Sequence, residues 1–238
     1  MIGGGVTPAP FFFMAQTVVQ ICNTALARIG VSNFISSIDE ATQEAAVCKL
    51  LYEQCRDRLL REVHWPFARV FKALALVQQS SSSPAWATEW TYAYRYPTDC
   101  VNIWRVLTAM GRNEIPPAAY EIGRDEQGRL LFTDQQNAVI EYTTRVEDPA
   151  QFDSTFVSVL SWLLAMEIAM PLSAMDALRR QAMQAYVAER DQAARIAANE
   201  SEQTRDIDTE FINSRGYATN TAPAENGTTV FPSGFIIS

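Results

Sequence analysis

The stretch LLREVHWPFARVFKAL, residues 59–74, decides how the chain is folded. Leu59 and Val63 continue a run of apolar positions (Val47, Leu50, Leu51, Cys55) spaced three and four apart, the signature of one face of a helix. Pro66 then stops that helix, because the residue before a proline avoids the helical region. Beyond it the period drops to two in RVFKALALV, which is the pattern of a strand. The stretch is therefore a corner where a long helix gives way to a sheet, with Trp65, Pro66 and Phe67 as a structural wedge between them. It also holds the only histidine, His64, placed at a helix end where an imidazole suits the negative end of the helix dipole.

Working upstream, residues 16–29 carry Val18, Ile21, Cys22, Ala25, Leu26 and Ile29 on one stripe, with Gly30 as a stop. The long helix is expected to begin near Asp39, with Asp39, Glu40 and Glu44 at its positive end and Arg56, Arg58 and Arg61 in its later turns. Downstream, alternation marks EWTYAYRYP, CVNIWRVLTA, GRLLFTD and AVIEYTTRV as strands, with Trp90, Tyr92, Tyr94 and Tyr96 on one face of the first of these. Gly111, Pro116, Pro117, Gly123 and Gly128 read as punctuation between strands, and QQSSSSPA as a polar loop. Helix is expected again over 152–170, capped by Asp153 or Ser154 and ended or kinked by Pro171. A last amphipathic helix over 173–202 has the stripe Leu178, Ala182, Met183, Tyr186 and Ala193.

These elements predict a mainly α fold: a bundle of about four helices from 15–68 and 150–203, interrupted by an antiparallel β-region over 69–149 that is small and curved. Residues 1–14 form an N-terminal arm, rich in Gly and Pro and sticky at Phe11, Phe12 and Phe13. Residues 204–238 form a polar C-terminal extension ending in Phe231, Phe235, Ile236 and Ile237. Apolar ends of this kind suit docking on a neighbour by pocket filling or strand addition.

Of the 238 residues, 48% are hydrophobic and only 19% charged, so either the core is deep or part of the surface is covered by partner chains. A net charge of −8 argues against a general nucleic-acid binder. Cys22, Cys48, Cys55 and Cys100 have no CxxC spacing, and Cys48 and Cys55 stand about 10 Å apart along a helix at 1.5 Å per residue. They read as small buried hydrophobes in a reducing compartment, and a single histidine without clustered thiols gives no zinc site. No Lys or Arg precedes the apolar patch at 11–14, so it does not read as a signal peptide. The run FVSVLSWLLAMEIAM is short for a membrane span, carries Glu167 and reads as a buried helix. No membrane association, metal or cofactor is expected.

Catalytic patterns are sparse. His64 has no Ser or Cys near it in sequence. The acidic pairs Asp39/Glu40, Asp125/Glu126 and Glu147/Asp148 imitate a glycosidase dyad, but adjacent acids are commonplace in turns and caps. The tyrosine stripe could stack bases, yet with only Arg95 and Arg105 near it packing or a protein interface is preferred.

The ordered series NTALARIG, LYEQCRDRLLREVHWPFAR, TYAYRYPTDC, GRLLFTD, AVIEYTTRVEDPAQFDSTF and LLAMEIAMPLS, spread over residues 18–195, resembles the head-to-tail adaptor family of tailed bacteriophages, also called tail tubular protein A or the tail accessory factor of short-tailed phages. That resemblance implies a non-enzymatic virion protein at the head–tail junction, assembled in the host cytoplasm. It implies a ring, typically of twelve copies, docked below the portal protein. Such a ring extends the DNA channel, through which DNA passes without sequence-specific binding, and forms the platform for the tail nozzle or hub. It also implies a C-terminal extension that grips the portal, which would give Phe231, Phe235, Ile236 and Ile237 their task. The arm before Met14 departs from the family pattern. Two other readings stand beside it: a virion-associated cell-wall hydrolase built on an acidic pair, and a tail-completion ring at another position in the particle.

Overall fold

The computed structural model describes residues 16–79, 89–108 and 118–201. The described residues belong to one unit, Met1–Ser201, and residues 202–238 lie outside the described residues.

Among the described residues there are four α-helices, and the other three pack on the third in chain order. The first, α1 (Val18–Arg28), is opened by Thr17 and Gln20, whose side chains each accept from the other's backbone N–H, at 3.2 and 2.9 Å. It closes at Gly30, where φ is +75° and the Gly30 and Val31 N–H groups return to the carbonyls of Ala27 and Leu26. The second, α2 (Gln43–Glu62), starts later than the acidic residues suggested. Thr42 is its cap, and Glu40 lies in the preceding turn, where its carboxylate accepts from the Ser36 N–H and the Thr42 hydroxyl. Ala45, Cys48, Tyr52, Cys55 and Leu59 form its buried stripe, whereas Leu50 is 66% exposed.

The third helix, α3 (Ser154–Ser173), is capped by Asp153 and continues through Pro171 to a left-handed residue, Ala174. Proline at this point removes one hydrogen bond from the final turn without breaking the helix before it. By length and composition α3 could cross a membrane, but most of it is buried here, because α1, α2 and α4 (Asp176–Ser201) all pack on it. On α4, Ala182, Tyr186, Ala193 and Ala197 face inward and Met183 faces solvent.

Among the described residues seven strands make two antiparallel sheets: β1 (Arg69–Ala73), β7 (Val139–Thr144) and β4 (Cys100–Leu107) in the order β1-β7-β4, and β2 (Leu76–Gln79), β3 (Tyr92–Arg95), β6 (Gly128–Thr133) and β5 (Tyr120–Asp125) in the order β2-β3-β6-β5. The sheets share an apolar core of their own, in which Ile103, Val106, Ile140 and Tyr142 meet Tyr94, Tyr96 and Leu131. The tyrosine face is thus packing: Tyr94 and Tyr96 are buried, and the Tyr94 hydroxyl donates to the Gln135 carbonyl at 2.8 Å.

This corrects the fold class expected from sequence. The described residues form a mixed α/β fold of four helices and two antiparallel sheets, not a helical bundle with a small inserted β-region. The β-part has its own core and more strands than alternation alone revealed. β5 was missed because Gly123 looked like a break, and β2 was merged with β1 in the single run RVFKALALV. In place, Gly123 is required by contact: an added Cβ would stand 2.4 Å from Cε2 of Phe132 on β6.

A half-buried polar joint ties α2 to α4. The Tyr186 hydroxyl donates to the Glu62 carboxylate, which also holds Arg58 at 2.8 Å. Burial pushes the Glu62 carboxyl up, but the Tyr186 hydroxyl and Arg58 outweigh it and leave it below its ordinary value of 4.5. A depressed carboxyl contributes stability that is complete above the unfolded pKa and disappears as the pH falls through the folded one. Tyr186→Phe is therefore expected to cost about 1–2 kcal/mol at pH 7, with the difference from wild type shrinking below about pH 4.5, as read from urea unfolding midpoints.

Candidate functional site

The helix-to-sheet corner is built from the end of α2 outward. Val63 leaves helical geometry as the C-cap, and Pro66–Ala68 form one 3-10 turn before β1. The last carbonyls of a helix lack partners within it. Trp65 supplies one: its Nε1–H donates to the Leu59 carbonyl at 3.0 Å, and the residue is 2% exposed. Its ring meets Phe156 of α3 edge-on at 5.0 Å, and Phe67 meets Phe156 at 5.1 Å, so Trp65 and Phe67 clasp α3 from the corner. Pro66 takes the first position of the turn, where its missing N–H costs nothing.

His64 points the other way, onto the face of the three-stranded sheet that carries Trp104 and Glu141. Its ring stacks on Trp104 of β4 at 4.4 Å, and its Nε2 lies 3.5 Å from Oε1 of Glu141 on β7. The helix dipole is thus not what holds it. Glu141 is fully buried and is further met by Arg105 Nε at 3.0 Å and Arg69 Nη1 at 3.7 Å. The antiparallel register explains the cluster, since Glu141 stands opposite Phe71 on β1 and Arg105 on β4, and the side chains of alternate residues share a face. Trp104 is fixed in turn by its Nε1–H to the Thr143 hydroxyl at 2.7 Å. Chemically this is a buried carboxylate met by two arginines and an imidazole from three segments; it pins the corner to the sheet.

A second concentration of charge lies between the C-terminal half of α2 and the strands, in a cleft of about 440 Å³ lined by Arg58, Arg61, Arg129, Arg145, Asp57, Glu62, Cys100 and Val101. Asp57 is held by Arg56 at 2.9 Å and Arg145 at 3.0 Å. Arg58 is shared by Glu62 and Glu167. Arg61 and Arg129 have no ion pair among the described residues, and Arg129 lies over the Tyr96 ring at 5.4 Å. Burial pushes the Cys100 thiol up, against the pull of the Tyr96 hydroxyl.

The acidic pairs are committed elsewhere. Asp125 makes a two-pronged pair with Arg95, at 2.9 Å for each oxygen, which holds its carboxyl below the usual range. Asp39 pairs with Lys49 at 2.7 Å, and Asp148 caps the short turn at Pro149–Gln151. All four cysteines are free and buried. Among the described residues no group of three or more His, Cys, Asp or Glu side chains is placed to hold a metal ion.

Of the residues singled out in sequence, Trp65, Pro66 and Phe67 stand together at the corner. Phe11, Phe12, Phe13, Phe231, Phe235, Ile236 and Ile237 lie outside the described residues. The buried Glu141 cluster and the arginine cleft were both missed. Alternation around Glu141 and Arg105 puts each on a definite face, but only the register brings the two faces together.

No protein-family model matches the chain, and no curated protein does.

Proposed function

We propose that the chain is a non-enzymatic structural subunit of a phage virion: a head-to-tail adaptor that forms a ring, of twelve copies by family resemblance, docks below the portal protein, extends the DNA channel and carries the tail nozzle or hub. The observation that carries this reading is the exposed apolar surface. Leu50, Met175, Phe34, Leu76 and Met183 are 66, 60, 58, 54 and 53% exposed in a chain with only 19% charged residues. Large apolar side chains on the surface, methionine among them, suit protein partners, and the sequence series spread over residues 18–195 gives those partners their class.

The tethering of the acidic pairs weighs against the hydrolase alternative. A general acid must be free to give up its proton, and Asp125 is clamped by Arg95. In the adaptor reading the terminal arms bind last: a polar extension incurs its ordering entropy only on docking, so assembly proceeds in sequence. The test is stoichiometry in purified particles of the phage that encodes the chain. Quantitative peptide mass spectrometry is expected to find one copy per portal subunit, at the head–tail junction in tail-less intermediates. Absence from particles, or a copy number matching the major tail or capsid proteins, would overturn the reading.

A further inference from the structure

Four arginines line the cleft between α2 and the strands: Arg58 and Arg61 from α2, Arg129 from β6, and Arg145 just past the end of β7. Only two carboxylates line it with them, and both are already held. Asp57 accepts from Arg56 at 2.9 Å and from Arg145 at 3.0 Å. Glu62 accepts from Arg58 at 2.8 Å and from the Tyr186 hydroxyl. The lining thus carries two more positive than negative charges, in a chain whose net charge is −8. The excess sits on Arg61 and Arg129, which have no carboxylate partner among the described residues. Burial raises the Cys100 thiol, and Arg129 and Arg61 are both among the groups that pull it back, so their charges meet at this part of the lining. Arg129 is steadied over the Tyr96 ring at 5.4 Å, a contact made by the face of the guanidinium rather than by its five N–H donors. One unpaired arginine on a surface calls for no explanation. Four guanidiniums around a single recess of about 440 Å³, two of them unbalanced, form an anion site.

A phosphate group fits this site better than a carboxylate. At pH 7 it carries a charge of about −1.5 to −2, which matches the local excess. Its three terminal oxygens can accept from guanidiniums on different elements at once, whereas the two oxygens of a carboxylate suit one arginine fork. The recess falls in the size range of small-molecule sites, about 300–1,000 Å³, with room for two linked phosphates. A DNA duplex is too broad to enter it, and an acidic chain repels a long polyanion. We propose that the cleft binds a small phosphate-bearing anion, with Arg61 and Arg129 as its principal donors and Arg145 adding N–H groups that Asp57 does not occupy. Bound there, the anion ties α2 to both sheets, because Arg129 belongs to the four-stranded sheet and Cys100 to the three-stranded one. The site is independent of the adaptor reading.

The experiment is isothermal titration calorimetry and thermal unfolding of the full chain in a low-salt, phosphate-free buffer, with pyrophosphate as the probe. One site per chain is expected. Saturating pyrophosphate raises Tm by about 3 °C or more, and sodium chloride of equal ionic strength does not reproduce the rise. Arg61→Gln and Arg129→Gln each weaken binding by about tenfold or more. Arg179→Gln, which removes an exposed arginine of α4 away from the cleft, leaves binding unchanged. All three variants keep the wild-type circular dichroism and the wild-type Tm without pyrophosphate, since none of these arginines has an ion pair among the described residues. Citrate, an anion of comparable charge built from carboxylates, binds about tenfold more weakly or worse. The proposal is overturned if pyrophosphate shows no saturable binding, if citrate binds as tightly, or if either cleft variant binds like wild type. Binding of a short DNA duplex that is lost in both cleft variants, with no pyrophosphate bound by wild type, also overturns it and makes the cleft a nucleic-acid contact. A chain that binds pyrophosphate but never joins the portal keeps this site and loses the adaptor reading.

Discussion

Trp65→Ala is expected to lower the stability of the folded unit by about 3–5 kcal/mol, the range for removing a large buried aromatic. The cost has two sources. The ring is 2% exposed and packed edge-on against Phe156, so its loss leaves a cavity between α2, α3 and the corner. The Nε1–H also satisfies the Leu59 carbonyl at the end of α2, and that acceptor would be left without this donor. Trp65→Phe separates the two: it keeps most of the ring and loses the hydrogen bond, at about 1–2 kcal/mol. Urea unfolding followed by far-ultraviolet circular dichroism measures both. A loss below about 1 kcal/mol for Trp65→Ala would mean that the corner is not a packing joint.

Glu141→Leu is the second large effect. Glu141 is fully buried, with Arg105, Arg69 and His64 within 3.0 to 3.7 Å. Removing the carboxylate leaves Arg69 and Arg105, 20% and 37% exposed, without this buried partner, and because solvent still reaches both the cost is about 2–3 kcal/mol, below that of a fully buried pair. Replacing the partner as well discriminates this from a packing effect. Glu141→Leu with Arg105→Met is expected to recover a large part of the loss, because a hydrophobic pair of similar volume no longer buries an uncompensated charge. If the double variant is no more stable than Glu141→Leu alone, the cluster is not held by charge.

How much of this was legible in the sequence follows from the range of the interactions. Helix ends set by local chemistry could be read: Asp153 caps α3, Gly30 stops α1, and α2 ends before Pro66. The start of α2 was misplaced because acids before a helix can lie in its first turn or in the turn that precedes it, and here Thr42 takes the cap. Leu50 has the spacing of a core residue relative to Val47 but points to solvent, since a stripe one residue wider fits the same sequence. Strand alternation found β1, β3, β4, β6 and β7, read β1 and β2 as one run, and failed at β5, where the glycine is dictated by a ring on the neighbouring strand. Counting β-elements by alternation therefore undersized the sheets, and with them the fold class.

The sites were less legible than the elements for the same reason. His64 and Glu141 lie 77 positions apart, and the cleft joins Arg61 to Arg129 and Arg145. Nothing local in the sequence ties these residues to one another; the register of β7 between β1 and β4, and the packing of α2 beside β4, bring them together. The corner stretch changes meaning accordingly. Its aromatic residues clasp α3, while its histidine reaches across to the sheet's buried carboxylate.

The central claim, that the chain is a ring-forming adaptor on the portal, is tested most directly by native mass spectrometry of the purified chain mixed with isolated portal rings. The account predicts a complex that gains twelve copies of 26.6 kDa, one for each portal subunit. No binding at any ratio, with portal that is itself an intact ring and the chain folded, would contradict it.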